Sequence, residues 1–223
     1  MTLGRNDQLF SPPFPPNSID RQSKERLFLI TEWCPGGTLY DKIYKNKNFA
    51  ALSQREALQN ALDIAAALEY LHSFRPKFIH RDIKPKNIFF GEGGVLKLGD
   101  FGLCRFKSDD GNMTGGTGSS RWMAPEVVRS ERYDEKVDIY SLGMCLWEML
   151  ACETPLSEFS EIQAAMMSAE GKRPTRPGRA SPPVWALIQE CWDPAPSRRP
   201  SAPVLMRKLM DVAKQIGVEL RYT

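Results

Sequence analysis

The sequence has no run approaching the roughly 20 apolar residues of a bilayer span, which argues against a transmembrane helix and a membrane partner. Its first residues, with Arg5, Asp7 and the prolines Pro12, Pro13, Pro15 and Pro16, lack the apolar core of a secretory signal. Surplus charge is small too: 30 basic against 27 acidic residues gives +3, too little to call for nucleic acid. The five cysteines, Cys34, Cys104, Cys145, Cys152 and Cys191, are odd in number and form no C-x-x-C pair. That excludes a disulfide framework or zinc knuckle and fits a reducing, cytoplasmic location. Before Glu32 there is one glycine, Gly4, and one lysine, Lys24, so no glycine-rich phosphate loop can be built there.

What is present is a globular composition, 42% hydrophobic and 26% charged, over 223 residues, enough for one large domain or two small ones. Residues 1–24 are polar and proline-rich and read as a flexible arm with polyproline character, either an unstructured leader or a docking motif. Leu27 to Thr31 is an apolar, partly β-branched run ended by Pro35-Gly36-Gly37, as a buried strand entering a turn would be. Ser53 with Glu56 forms a capping box, followed by Leu58, Leu62, Ala65, Leu68 and Leu71 at helical spacing, so a helix ends near His72.

Ile88-Phe89-Phe90 and Val95 to Leu98 flank Gly91-Glu92-Gly93-Gly94 as a hairpin; Gly93-Gly94 is not a phosphate loop, because no helix start follows it. Residues 108–120 are polar and glycine-rich and should be mobile. From Asp134 to Ala151 the pattern is apolar nearly all round, which belongs at the centre of a helical domain. Helical patterns recur at Phe159 to Ala169, Pro183 to Cys191 and Pro203 to Ile216. The balance is one strand, one hairpin and five or six helices: a mainly α (α+β) fold. The basic run Lys172 to Arg179 reads most simply as a solvated loop, with phosphopeptide or nucleic-acid contact the lesser alternative.

The chemistry concentrates in Ile79-His80-Arg81-Asp82-Ile83-Lys84-Pro85-Lys86-Asn87 and in Asp100-Phe101-Gly102. Asp82 is a carboxylate able to accept a hydroxyl proton, Lys84 can reach a transferring phosphate, and Asn87 and Asp100 offer hard oxygens that suit Mg²⁺. These motifs resemble the catalytic loop and Asp-Phe-Gly triplet of eukaryotic protein kinases, over about Leu27 to Met210. Ala124-Pro125-Glu126, Asp138 to Gly143 and Arg199 fall where that family has the end of its activation segment, its central helix and the arginine partner of the segment's glutamate. Lys84 resembles serine/threonine kinases, and Arg121 to Glu126 with Cys191-Trp192-Asp193 resembles their tyrosine-kinase-like group.

The resemblance implies an ATP- and Mg²⁺-dependent kinase acting on a protein substrate. Asp82 would be the base, Lys84 the phosphate contact, and Asn87 and Asp100 the metal ligands. Thr31 would be the gatekeeper, Glu32 and Cys34 backbone contacts to adenine, and Phe89 the floor beneath the ring. Arg81 would receive a phosphate from Ser108, Thr114 or Thr117, and Ser119 would contact the catalytic loop. His80, Phe101, Gly102, Glu126, Asp138 and Arg199 would be structural.

The family also has a glycine-rich loop, which a single glycine cannot build, and a strand lysine far upstream of the hinge, whereas Lys24 lies only eight residues before Glu32. The implied domain is therefore partial: an arm at 1–24, then 25–220 comprising the last strand of the small lobe and the hinge (26–34) and the helical large lobe (35–220). Two functions follow. One is a serine/threonine kinase of which this chain is a truncated form; the other is a catalytically impaired, kinase-like binding module whose exposed upper face seeks a protein partner.

Overall fold

A computed structural model describes residues 31–45, 52–106 and 120–221. The chain divides between Glu32 and Trp33 into two units, and the account below concerns the second, since Thr31 and Glu32 are the only described residues of the first. The expected arm and most of the expected strand, Leu27 to Ile30, lie outside the described residues.

Helices dominate. Helix α1 (Leu39–Tyr44) opens on a capping box in which the Thr38 hydroxyl accepts from Asp41 N at 3.1 Å and the Asp41 carboxylate accepts from Thr38 N at 3.1 Å. Helix α2 (Gln54–Ser73) starts on the expected Ser53–Glu56 box and runs one residue past His72. Its Leu58, Leu62, Ala65 and Leu68 are buried, and it packs on the later helices α4 (Lys136–Ala151) and α7 (Ala202–Gln215). Every residue of α4 from Val137 to Leu150 is buried, as its all-round apolar pattern requires.

Two antiparallel strand pairs lie beside this helical body. Strand β1 (Phe78–Ile79) pairs with β4 (Arg105–Phe106), and β2 (Ile88–Phe90) pairs with β3 (Leu96–Leu98), placing Ile88 opposite Leu98. The second pair is the hairpin read from the sequence, with Gly93 and Gly94 at φ +66° and +73° turning its tip.

Helices α3 (Pro125–Val128), α5 (Glu161–Ala169) and α6 (Pro182–Cys191) complete the order. Helix α5 begins two residues after the expected Phe159 because Ser160 caps it, accepting from Gln163 N at 3.4 Å. Helices α4 and α6 meet closely at Gly143, where a Cβ would stand 2.6 Å from that of Cys191.

Polar side chains cross between the helices. Arg199 forms a fork on Glu126, at 2.6 and 2.9 Å, joining α3 to the turn before α7, and stacks over the Tyr140 ring at 5.0 Å. Arg173 stacks over Tyr140 at 5.1 Å and donates to the Ser168 and Trp192 carbonyls; Arg176 donates to that of Ala180. Arg173 of the basic run is thus built into the fold, whereas Lys172, Arg176 and Arg179 are exposed on irregular chain, as a solvated loop requires. Asp63 on α2 is buried, accepts from Leu96 N at 3.0 Å, and meets Arg221 at 2.7 Å.

Arg199→Leu leaves Glu126 buried without its cation, so chemical denaturation should show a loss of about 3–5 kcal/mol. Glu126→Leu combined with Arg199→Met should recover much of that loss. A single variant within about 1 kcal/mol of the parent, the size of an exposed pair, would show the fork to be dispensable.

Candidate active site

The loop from β1 to β2 is shaped by one carboxylate. Asp138, on the first turn of α4, accepts from His80 N at 3.0 Å, Arg81 N at 2.8 Å and His72 Nε2 at 2.9 Å. These bonds hold Arg81 in the left-handed region, φ +71°, an arrangement a β-carbon disfavours unless its surroundings impose it. His80 is buried. Its Nδ1 accepts from Asp82 N at 3.3 Å, which assigns the ring proton to Nε2 and a donor role toward Gly99 O at 3.1 Å.

The kink delivers Asp82 into a buried position, 6% exposed, where two donors converge on one oxygen. Lys84 Nζ stands 2.8 Å and Asn87 Nδ2 2.7 Å from Asp82 Oδ2, and Asn87 Nδ2 also reaches Asp82 O at 2.9 Å. The carboxylate is thereby fixed in orientation, with Oδ1 left without a donor among the described residues. Asn87 commits its amide nitrogen to Asp82, so its Oδ1 remains an acceptor.

Asp100 approaches through the backbone. Gly99 N donates to Asn87 O at 2.9 Å, tying the end of β3 to the start of β2. Asp100 is exposed, with φ +59°, and its carboxylate accepts from Gly102 N at 3.4 Å, capping the turn Phe101–Leu103. The Phe101 ring lies 5.2 Å from that of His80 and 6.4 Å from that of Phe78. Phe89 is half-buried with its ring against Gly99, where a Cβ would come within 2.7 Å.

The chain shortly after Cys34 lies beside this hairpin. Gly36 N donates to Phe90 O at 3.1 Å and Phe90 N to Gly37 O at 2.9 Å, and a Cβ on Gly36 would collide with Phe90 at 2.5 Å. Close approach thus explains the Pro-Gly-Gly signal better than a free turn does. Thr31 and Glu32 are exposed and belong to the first unit, while Ser108, Thr114, Thr117 and Ser119 lie outside the described residues.

No group of three or more His, Cys, Asp and Glu side chains among the described residues is arranged to hold a metal. The available donors, Asn87 Oδ1 and the Asp100 carboxylate, are hard oxygens. That set fits Mg²⁺, which is commonly held by one or two protein oxygens together with substrate phosphates.

One group escaped the sequence reading. Glu148 on α4 is wholly buried, accepting from Tyr44 OH at 2.6 Å and from Trp122 Nε1 at 2.7 Å. Burial pushes its carboxyl up to about 7, against the smaller downward pull of those two donors and of Arg121. Beside it, Arg121 donates to the carbonyls of Pro155, Leu156 and Phe159, and Ser141 Oγ to that of Trp122. The available signal was a lone glutamate inside an otherwise apolar helix.

Comparison with known proteins gives one consistent result. The family model described as protein tyrosine and serine/threonine kinase matches residues 19–209. The serine/threonine-protein kinase STY46 of Arabidopsis thaliana is 37% identical over 194 residues, covering 86% of this chain and 33% of the relative. The serine/threonine-protein kinases VIK and CTR1 of the same plant are 38% and 35% identical, covering 86% and 84% of this chain and 45% and 23% of theirs. The chain thus spans less than half the length of these relatives. Among the described residues no helix is long and apolar enough to cross a membrane.

The raised carboxyl of Glu148 sets a pH dependence. Unfolded, it titrates near the usual 4.5 and folded near 7, so between these values the folded chain holds a proton that the unfolded chain has released. Its contribution is fully present below about pH 4.5 and is lost as the pH rises to about 7. Denaturation of the parent and Glu148→Gln across this window should show a flatter profile for the variant. Identical slopes would remove Glu148 as the cause.

Proposed function

Because this chain belongs to the eukaryotic protein kinase family, among serine/threonine kinases of the tyrosine-kinase-like group, we propose that its described large-lobe residues form the floor of a phosphoryl-transfer site. The reaction is transfer of the γ-phosphate of ATP to Ser or Thr hydroxyls of a protein. The observation that carries this reading is the triangle of Asp82, Lys84 and Asn87.

Asp82 accepts the hydroxyl proton as the substrate oxygen bonds to the γ-phosphorus and the bond to the bridging oxygen breaks, releasing ADP. Lys84, already on Asp82, holds that carboxylate and lies in position to share charge with the moving phosphoryl group. Asn87 and Asp100 would hold Mg²⁺, which neutralises phosphate charge when bound. Thr31, Glu32, Cys34 and Phe89 are assigned to the adenine side. In the activation segment, Ser108, Thr114 and Thr117 are assigned as phosphate acceptors, Arg81 as their cationic partner and Ser119 as the contact to the catalytic loop.

His80, Phe101, Gly102, Glu126, Asp138 and Arg199 keep the loop in shape. The domain proposed is residues 25–220, preceded by the arm at 1–24. The glycine loop and lysine that cover nucleotide in the family are not encoded in residues 1–31, so full activity calls for them from further sequence. All five cysteines are free, which suits a reducing compartment such as the cytoplasm.

A second reading, a kinase-like binding module whose upper face takes a protein partner, is favoured by Asp100, whose carboxylate caps its own turn. Titration with a fluorescent ATP analogue separates the two. On the kinase reading, Mg²⁺ tightens binding and Asp100→Ala abolishes that gain. Asp82→Asn retains binding yet lowers transfer by about 10² to 10⁴, the usual worth of a positioned base. Binding indifferent to Mg²⁺ and to Asp100→Ala would leave only the binding module.

A further inference from the structure

Beside Asp82 the structure builds a continuous wall. The turn Pro85–Asn87 packs against α1, with Pro85 and Asn87 buried and Lys86 between them exposed. Lys86 Nζ is held over the Tyr40 ring at 5.0 Å, a cation–π contact that gives an exposed lysine a preferred place. Tyr40 stacks on Tyr44 at 4.8 Å, Tyr44 bonds to Glu148, and Glu148 bonds to Trp122. The wall therefore runs from the catalytic turn through α1 to the turn Ser120–Trp122, which directly precedes α3.

The charges along this wall are unequal. Its two carboxylates are both engaged: Glu148 is wholly buried beneath two donors, and Asp41 on α1 accepts from Thr38 at 2.6 Å and pairs with Lys45 at 2.8 Å. Lys84 is engaged by Asp82 and Arg121 by three carbonyls. Lys86 alone among these groups is an exposed cation without an anionic partner. Among the described residues, a segment lying along the wall with its hydroxyl at Asp82 would meet Lys86 as a cation that no acid neutralises.

We propose that Lys86 is a specificity-determining residue, selecting protein segments that carry an anionic side chain, a carboxylate or a phosphate, near the acceptor hydroxyl. The proposal rests on the reading of Asp82 as the site where the hydroxyl docks. Lys86 lies four positions after Asp82, so their Cα atoms lie within about 14 Å. An extended peptide advances about 3.3 Å per residue, which places the matching anion within about four positions of the acceptor.

The test uses fluorescein-labelled serine peptides that differ at these flanking positions, carrying Glu, phosphoserine, Ala or Arg, with binding to the full chain read by anisotropy. Acidic peptides should bind about three- to tenfold more tightly than the Ala peptide and the Arg peptide more weakly, and rising ionic strength should shrink the difference. Lys86→Gln should erase the preference and Lys86→Glu invert it, with thermal melting confirming that each variant is folded. Phosphoserine ahead of Glu assigns the anion to phosphate; Glu equal or ahead assigns it to carboxylate.

Four peptides binding within twofold of one another, or an acidic preference that survives Lys86→Glu, would overturn the assignment. Mg²⁺-dependent binding of the fluorescent ATP analogue is scored separately. An acidic preference without such binding spares this inference and counts against the kinase reading, and such binding without charge preference does the reverse.

Discussion

The carboxylate of Asp138 is the constraint on which the site depends. Two of its three bonds go to consecutive backbone amides, His80 and Arg81, whose N–H groups would otherwise be buried without partners at an irregular stretch of chain. Arg81 takes up a left-handed conformation only because Asp138 and the packing of His80 leave it no better arrangement. Asp138 belongs to the most buried helix of the molecule, so the loop is referenced to the most rigid body available. Asp82 inherits its position from that reference.

A second layer of fixed charge ties the periphery to the same body. The Glu126–Arg199 fork spans α3 and the chain before α7, and Tyr140 on α4 lies against both Arg199 and Arg173. On the opposite flank, Arg221 bonds to the carbonyls of Gly93 and Gly94 as well as to Asp63, clamping the hairpin tip to α2. Since β3 leads directly into Gly99 and Asp100, this clamp acts on the strand that carries a proposed metal ligand. Each of these side chains is polar, and each does its work by crossing between elements that apolar contact alone would let slide.

What could be read in the sequence was what leaves a local periodic signal. Helix α2 showed a capping box and a regular apolar spacing, and the hairpin showed two apolar runs around Gly93-Gly94; the structure places both within a residue or two of expectation. Helix α1 went unread, although Thr38-x-x-Asp41 is itself a capping box, because its six residues are too few to show a period. Asp82, Asn87 and Asp100 stood out as candidates because their order and spacing are distinctive. Glu148 was not, because its partners Tyr44 and Trp122 lie 104 and 26 residues away and only the fold brings them together.

That hidden glutamate explains the character of the wall next to the site. A carboxylate placed in α4 without donors would be expelled or neutralised, given the cost of burying an isolated charge. Tyr44 and Trp122 retain it as a link between α1 and the chain leading into α3, and in doing so they withdraw it from any ligand. The same two contacts hold α1 where Tyr40 can carry Lys86. The structural task of one acid therefore keeps it out of reach, while Lys86 stands exposed over Tyr40 with no anionic partner among the described residues.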